Sequence, residues 1–490
     1  MQPACGIFSR PRIIQYSFCH HPHSFTHWRS FHIMRIAHIN VISNVSTGRI
    51  ASDLCRLARA AGHQTLFCYG RGPVPVGIPS LRIGDTPDVT DGLPTRRSGA
   101  PVRVFRKLAR RVNNLFTTAG IALHVGLSRI TDRSGFYSKA ATKRFIRQLR
   151  RFSPDLIHLH NLHGYYLHLP TFFDYLKTSN IPVVWTLHDS WAYTGHCAYY
   201  HLPIQPYLNP EDAPDPSAPS QCLLWQRRCN HCPLKKTYPI SLVMDQSARN
   251  FTEKKDLFTS LSNLTLTAPS QWLRNEAAKS FLGRYPIHAM PNGIDLTVFA
   301  PCADERRMQD IALFYGLDQL DGRRMVLSVS AVWDDRKGLD HLVELAYALG
   351  EDYCVVPVGL SQSQIESLPD IMLGLPRTAN VNDLCVLYTA ADCCISLSQG
   401  ETMGMTLVEA MACGTQVICY DTTAMPELVT PQVGEVVPVG DIAAAADAVR
   451  RLCDDPKDPL FCIARAAQFG SNLRYEAYLR LYEQIVHPEA

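Results

Sequence analysis

The stretch QGETMGMTLVEAMACG, residues 399–414, sets Glu401 and Glu409 eight positions apart with Gly404 between them. Leu407, Val408, Met411 and Ala412 recur at helical spacing, and Gly414 is a usual helix terminator. Glu401 is therefore expected in the loop ahead of a helix and Glu409 in its second turn, roughly 12 Å apart if the span is helical. The helix start at Gly404, Met405 and Thr406 offers backbone N–H groups and a positive dipole end, a seat for an anion. Carboxylates accept hydrogen bonds from sugar hydroxyls. The pair can thus hold two hydroxylated rings, a ribose and a hexose, at opposite ends of a diphosphate. The plain alternative is a surface helix with two solvated glutamates, since a bare E-x7-E arises often by chance.

A second constellation is made of thiols. Cys197, Cys222, Cys229 and Cys232 combine a C-x2-C pair with two further soft ligands, the make-up of a tetrahedral zinc site. Such a zinc would be structural, because nothing nearby suggests an open coordination position. The alternative is a set of buried thiols, or a redox-labile pair, in a large insertion over about 196–236. The proline-rich stretch 203–219 inside it reads as a flexible excursion. No Asp-x-Asp metal motif stands at a strand end, which fits an enzyme without a catalytic metal. No G-x-G-x-x-G follows the first strand, which disfavours an oxidoreductase.

These residues need a scaffold, and the chain supplies two alternating sets of strands and helices. MRIAHINVI reads as a first strand, NVSTGR as a loop and IASDLCRLARAAG as a helix. QTLFCYG, DLIHLH and PVVWTLHD are further strands; the last two bring His160, Asn161 and His188 to strand ends, where the crevice of an open α/β sheet lies. RMVLSVS, DYCVVPVG, ADCCISLS and TQVICYD make a second set, with GLDHLVELAYALG and NDLCVLYTAA as helices. PNGIDLTVFAPC (291–302) is taken as the linker. The fold class is α/β: two Rossmann-like domains facing across a cleft, 34–292 and 293–475. Residues 476–490 form a C-terminal helix expected to return to the N-terminal domain.

Composition agrees with a globular protein. The 490 residues are 46% hydrophobic and 19% charged, with a net charge of +4 that implies no particular partner. No run of about 18 apolar residues suggests a transmembrane helix. Of the seventeen cysteines, Cys55, Cys68, Cys354, Cys393, Cys394 and Cys419 lie in apolar segments and read as reduced, buried thiols. Cytosol is the default. Residues 1–33 carry five histidines, three arginines and no acid. They read either as a targeting extension or as the product of a start assigned upstream of Met34. Residues 103–151 hold thirteen Lys/Arg and one acid, Asp132. This tract is either a solvated face or a contact with an anionic membrane or a polyprenyl diphosphate, with Phe105, Phe116, Phe136 and Tyr137 as anchors. No nucleic-acid-binding motif is present.

ETMGMTLVEAMACGTQVICYD with TTAMPEL resembles the E-x7-E region of family-4 glycosyltransferases, retaining enzymes of GT-B fold that use nucleotide sugars. NVSTGRI, DRSGFYSKAATKRFI, PDLIHLHNLHGYYLHLP, VVWTLHDSWAYTGHCAYY, APSQWL and PNGIDLTVF resemble blocks of a bacterial subgroup that builds colanic-acid-type and capsular polysaccharides. Together they cover most of residues 34–430.

The resemblance implies that Glu409 binds the nucleotide ribose, that Glu401 faces the donor sugar, and that amides at Gly404, Met405 and Thr406 meet the donor. Gly48 would lie beside the diphosphate, with Arg49 adding charge, and His188 would stand near the reacting sugar. His160 and Asn161 would shape the acceptor side. Lys337 matches the family's diphosphate clamp, but Ala331-Val332 stand where its arginine is expected; Arg336 or Arg49 would substitute. The cysteines are shared by the subgroup. The implied chemistry is metal-independent hexosyl transfer from a UDP- or GDP-sugar to a polyprenyl-diphosphate-linked saccharide. It would take place in the cytoplasm or at the inner face of the plasma membrane, in exopolysaccharide biosynthesis. The rivals are a sugar-nucleotide epimerase or phosphorylase of the same fold, and a non-catalytic polysaccharide- or membrane-binding partner of an assembly complex.

Overall fold

The computed structural model describes residues 32–84, 118–201 and 221–488. Residues 1–31 of the extension, the start of the basic tract with Phe105 and Phe116, and the proline-rich stretch 203–219 lie outside the described residues. The described chain belongs to two compact units. Arg29–Pro269, Leu273–Met290 and Glu476–Ala490 make the first; Ser270–Trp272 and Pro291–Tyr475 belong to the second.

The first unit is built on seven strands: β1 (Arg35–Ile42), β2 (Gln64–Arg71), β3 (Ser80–Arg82), β4 (Leu156–Leu159), β5 (Val183–Thr186), β6 (Leu264–Ala268) and β7 (Ile287–Ala289). Their order is β3-β2-β1-β4-β5-β6-β7, and every pair is parallel. A parallel sheet is covered on both faces, so its strands read as continuous apolar runs. In β1 all residues between Arg35 and Ile42 are buried, His38 and Asn40 included. The chain order reverses where β1 sits between β2 and β4, which places a crevice at the carboxyl ends of those strands.

NVSTGR is not a loop throughout. Val45 and Ser46 adopt positive φ (45° and 36°), and the helix Val45–Ala60 runs on from that kink, taking Gly48 into its first turns. A Cβ at Gly48 would lie 2.8 Å from the Ile42 carbonyl oxygen, so the missing side chain lets the helix start fold back on the end of β1. The helix Lys139–Phe152 buries Phe145, Ile146 and Leu149 in the unit and keeps Arg150 and Arg151 in its last turn, where cations suit the dipole. Its apolar face is thus used inside the domain. Phe136, beneath the Arg133 guanidinium, and Tyr137 are half-buried rather than free anchors. The C-terminal helix Ser471–Val486 enters the first unit from Glu476 onward, with Tyr478 and Tyr482 fully buried there.

The second unit carries β8 (Arg324–Val329), β9 (Tyr353–Leu360), β10 (Leu375–Pro376), β11 (Cys393–Ser396), β12 (Val417–Tyr420) and β13 (Gly434–Val437). They are parallel in the order β10-β9-β8-β11-β12-β13, with the reversal between β8 and β11. The segment 291–302 is built into this unit: Ile294 and Phe299 are buried in its core with Leu327, Ile395 and Leu407. The described cysteines are free, and Cys55, Cys68, Cys354, Cys393, Cys394 and Cys419 are buried. No helix among the described residues is long and apolar enough to cross a membrane.

Candidate active site

In the second unit the candidate side chains gather past the carboxyl ends of β8 and β11, its two central strands. After β8 a short turn, Asp335–Lys337, ends at Gly338 with φ 71°. A Cβ at Gly338 would stand 2.3 Å from the Leu397 carbonyl oxygen, so only glycine lets this turn press against the end of β11. That contact delivers Lys337 to Glu401, and the two form an ion pair. Arg336 donates to the Gly400 carbonyl at 2.8 Å, and its guanidinium lies 3.9 Å from the Glu401 carboxylate. The Glu401 N–H donates to Thr423 Oγ1 at 2.9 Å. Burial alone would raise the Glu401 carboxyl, but Lys337 and Arg336 more than offset it and hold the group below its ordinary range. Of the two arginines that the sequence offers in place of the missing one, Arg336 lies at this pair, while Arg49 is exposed in the first unit.

The helix Met405–Ala412 starts at Gly404, which has φ 85° and no side-chain cap, so the anion seat read from the sequence lies directly after the Glu401 loop. Glu409 stands half-buried in its second turn and accepts a hydrogen bond from the Tyr388 hydroxyl at 3.1 Å. Thr423 lies in the quoted TTAMPEL block. Tyr388 carries no sequence signal, because its partner is 21 positions away.

In the first unit the strand-end histidines join into a chain. His38 is paired in register with His158 across β1 and β4. His38 Nδ1 lies 3.4 Å from His160 Nε2, and His160 Nδ1 lies 3.0 Å from His188 Nε2. His158 is held by the Tyr482 hydroxyl at 2.6 Å and Thr186 Oγ1 at 2.7 Å. Asn161 donates its N–H to Asn40 Oδ1 at 3.2 Å. Asp189 forms a buried pair with His163 Nε2 at 2.7 Å and accepts from the Trp191 N–H at 2.9 Å; the other ring nitrogen of His163 meets the Tyr238 hydroxyl at 3.0 Å. His38, His163 and Asp189 were not singled out from the sequence, although Asp189 directly follows His188.

Burial pushes His38 down to about 3 and His188 to about 4, and holds His158 and His160 well below the ordinary imidazole range. These rings fold in their neutral form, while the unfolded chain protonates them below about pH 6.5. Stability is therefore full above pH 6.5 and is lost as pH falls from there toward the folded values. Urea midpoints measured from pH 7.5 to 5 are expected to fall, and His38→Gln to flatten the slope by about 1.4 kcal/mol per pH unit at the acid end. An unchanged slope in the variant would mean that His38 is charged in the fold.

Among the described residues, the donor groups whose ligand atoms all lie within 4.8 Å of one another are His38–His158–His160 and His32–Glu483–His487. The first reads as a hydrogen-bonded cluster, since both ring nitrogens of His158 already have hydroxyl partners. The four cysteines are brought into one neighbourhood but do not form such a group. The neighbouring Cys197 thiol, together with burial, raises the Cys232 thiol. The Cys229 sulfur accepts from the Gly195 N–H at 3.1 Å, and burial pushes its thiol up to about 12.

Comparison with known proteins bears on both units. Residues 47–213 match the model of Glycosyltransferase Family 4, and residues 318–469 that of Glycosyl transferases group 1. The chain belongs to the family-4 glycosyltransferases. WcaC of Escherichia coli (strain K12), a candidate colanic acid biosynthesis glycosyl transferase, is 26% identical over 283 residues, 55% of this chain and 57% of that protein. The D-inositol 3-phosphate glycosyltransferase of Mycobacterium tuberculosis is 30% identical over 219 residues, 41% of this chain and 44% of that protein. The chain spans about half the length of the curated relatives it matches.

Solved structures of the GT-B fold align with this family-4 chain more completely. Sucrose-phosphate synthase from Thermosynechococcus elongatus shares 17% identity at a TM-score of 0.58, over 93% of this chain and 100% of that one. Anabaena Alr3699/HepE in complex with UDP and glucose shares 14% at 0.56, over 91% and 99%. At these identities the likeness establishes the fold, which is GT-B with two parallel Rossmann-like sheets.

Proposed function

We propose that this family-4 glycosyltransferase transfers a hexose, with retention, from a nucleotide diphosphate sugar to a lipid-linked saccharide of a surface polysaccharide. The observation that carries the reading is the arrangement past β8 and β11. Lys337 and Arg336 flank Glu401 immediately ahead of an uncapped helix start, with Glu409 in the helix's second turn. Cations and a helix N-terminus suit a diphosphate, and a carboxylate on either side suits the hydroxyls of a hexose and a ribose. The complex of Alr3699/HepE with UDP and glucose supports a nucleotide sugar, UDP- or GDP-linked, as donor. The likeness to WcaC supports a polysaccharide intermediate as acceptor.

In this account the acceptor hydroxyl attacks the anomeric carbon from the face that the diphosphate leaves. The glycosidic C–O bond to phosphate breaks as the new C–O bond forms, and the acceptor proton passes to the departing phosphate oxygen. Lys337 and Arg336 offset the charge that gathers on the leaving group, with no catalytic metal. His188 serves the reacting sugar, and His160 with Asn161 the acceptor.

Cys197, Cys222, Cys229 and Cys232 would hold a structural zinc, and the amide of Gly195 on the Cys229 sulfur supports thiolate ligation there. Elemental analysis of the purified chain is expected to find about one zinc per chain, lost in Cys229→Ser. A folded protein without zinc would remove this assignment.

The functional reading is tested by incubating the chain with UDP- and GDP-hexoses and a polyprenyl-diphosphate saccharide, and following release of nucleoside diphosphate and the anomeric configuration of the product. Acceptor-dependent release with a retained anomer is expected. Nucleotide release or sugar isomerisation without acceptor would point to an epimerase instead.

A further inference from the structure

The first unit exposes apolar side chains where a globular protein would bury them. Leu223, Leu224, Ile240, Leu242, Val243 and Met244 are exposed, the last three by 66%, 61% and 47%. The 242–244 segment is tied to the helical stretch 118–131: the Leu242 N–H donates to the Arg129 carbonyl at 2.7 Å and the Met244 N–H to the Ile130 carbonyl at 3.0 Å. That stretch adds exposed Leu123 and Ile130. Lys235 Nζ donates to the Val243 carbonyl at 3.5 Å and the Cys232 N–H to Asp245 at 2.6 Å, which ties the 232–236 stretch to the same segment.

This exposure is not a failure to pack. Trp225 and Leu234, from the same stretch of chain, are fully buried, with Trp225 against Tyr193 and Tyr200. The framework is anchored, and its neighbours are presented outward. Contiguous apolar surface of this kind marks an interaction site.

Charge selects the occupant. Residues 221–244 contain Arg227, Arg228, Lys235 and Lys236, and 118–131 adds Arg129; of the acids that follow directly, Asp132 is buried against His196 and Asp245 accepts from the Cys232 and Ser247 N–H groups. Apolar side chains among cations, with the bordering acids already engaged inside the protein, suit the headgroup boundary of an anionic bilayer, where the apolar groups enter the acyl region and the cations meet phosphates.

We infer that the surface formed by 221–244 and 118–131 docks the chain on an anionic phospholipid bilayer. The surface also leads to the candidate site. Tyr238 stands on the exposed segment, and its hydroxyl meets His163, which holds Asp189 beside His188. Resting on the proposed transfer to a lipid-linked acceptor, this connection means that docking presents the acceptor end of the first unit to the membrane. The basic helix Lys139–Phe152 is not the anchor, because its apolar face is spent in the core.

The test is co-sedimentation of the full chain with vesicles, without sugar nucleotide or acceptor, so that its outcome does not depend on turnover. Binding is expected to vesicles of phosphatidylcholine with phosphatidylglycerol, weakening as salt rises, and to be weak on phosphatidylcholine alone. Leu242→Ser with Val243→Ser, and separately Arg227→Glu with Arg228→Glu, are each expected to lower the partition coefficient by about tenfold or more. Val74→Ser with Val76→Ser, at an exposed apolar pair elsewhere in the unit, should leave it unchanged. Circular dichroism checks that each variant is folded. Equal binding by all variants, absence of binding to anionic vesicles, or burial of the surface in a dimer detected by light scattering would each overturn the inference. A chain that binds vesicles but transfers no sugar would leave it standing and remove the functional reading instead.

Discussion

Lys337→Ala is expected to lower turnover by about 100- to 1,000-fold, the usual cost of removing one group that stabilises charge developing in a transition state. In the resting protein Lys337 is paired with Glu401, so the substitution also leaves a half-buried carboxylate with one cationic neighbour fewer. Arg336 still stands 3.9 Å from that carboxylate and donates to Gly400, which limits the loss of stability to about 1–3 kcal/mol. The two effects separate cleanly: turnover is followed by nucleotide release, and folding by urea denaturation. Lys337→Arg keeps the charge and should recover part of the rate. If Lys337→Ala transfers sugar as fast as the parent while folded, the clamp assignment is wrong and Lys337 serves only to hold Glu401.

Glu409→Ala is expected to weaken donor binding by roughly 10- to 100-fold, as a charged hydrogen bond to a ribose hydroxyl contributes about 1.5–3 kcal/mol. The same carboxylate accepts from the fully buried Tyr388 hydroxyl, so a loss of about 1 kcal/mol in stability should accompany it. Tyr388→Phe distinguishes the two roles. It removes the internal hydrogen bond, leaves the carboxylate in place, and should change donor affinity by no more than about threefold. A large affinity loss in Tyr388→Phe together with a small one in Glu409→Ala would reverse the assignment.

The parts of the molecule that could be read from the chain are those in which local pattern and tertiary environment agree. RIAHINVI and ADCCISLS are apolar because a parallel strand is covered on both faces, so the runs themselves announce β1 and β11. Leu407, Val408 and Met411 recur on the buried side of a helix that a glycine opens and another closes. Glu401 and Glu409 fall into place from that helix alone. The reading failed where conformation or partnership is set from a distance. NVSTGR is rich in turn formers, yet it enters a helix because Val45 and Ser46 accept positive φ and Gly48 packs on the end of β1. His38 looks like one more residue in an apolar strand, and only the register of β1 with β4 sets it beside His158 and His160. Lys337 meets Glu401 across 64 positions, with Arg336 beside it, through a glycine whose need becomes visible only when the Leu397 carbonyl lies beneath it. The apolar segment near Met244 drew no reading from the sequence, because only its exposure sets it apart.

The most direct measurement is saturation-transfer NMR of the purified chain against UDP-, GDP-, ADP- and dTDP-sugars, with Glu409→Ala alongside. The account predicts selective transfer to one nucleotide sugar, strongest at ribose protons, and lost in the variant. Absence of transfer from a folded parent chain, or equal signals from parent and variant, would contradict it.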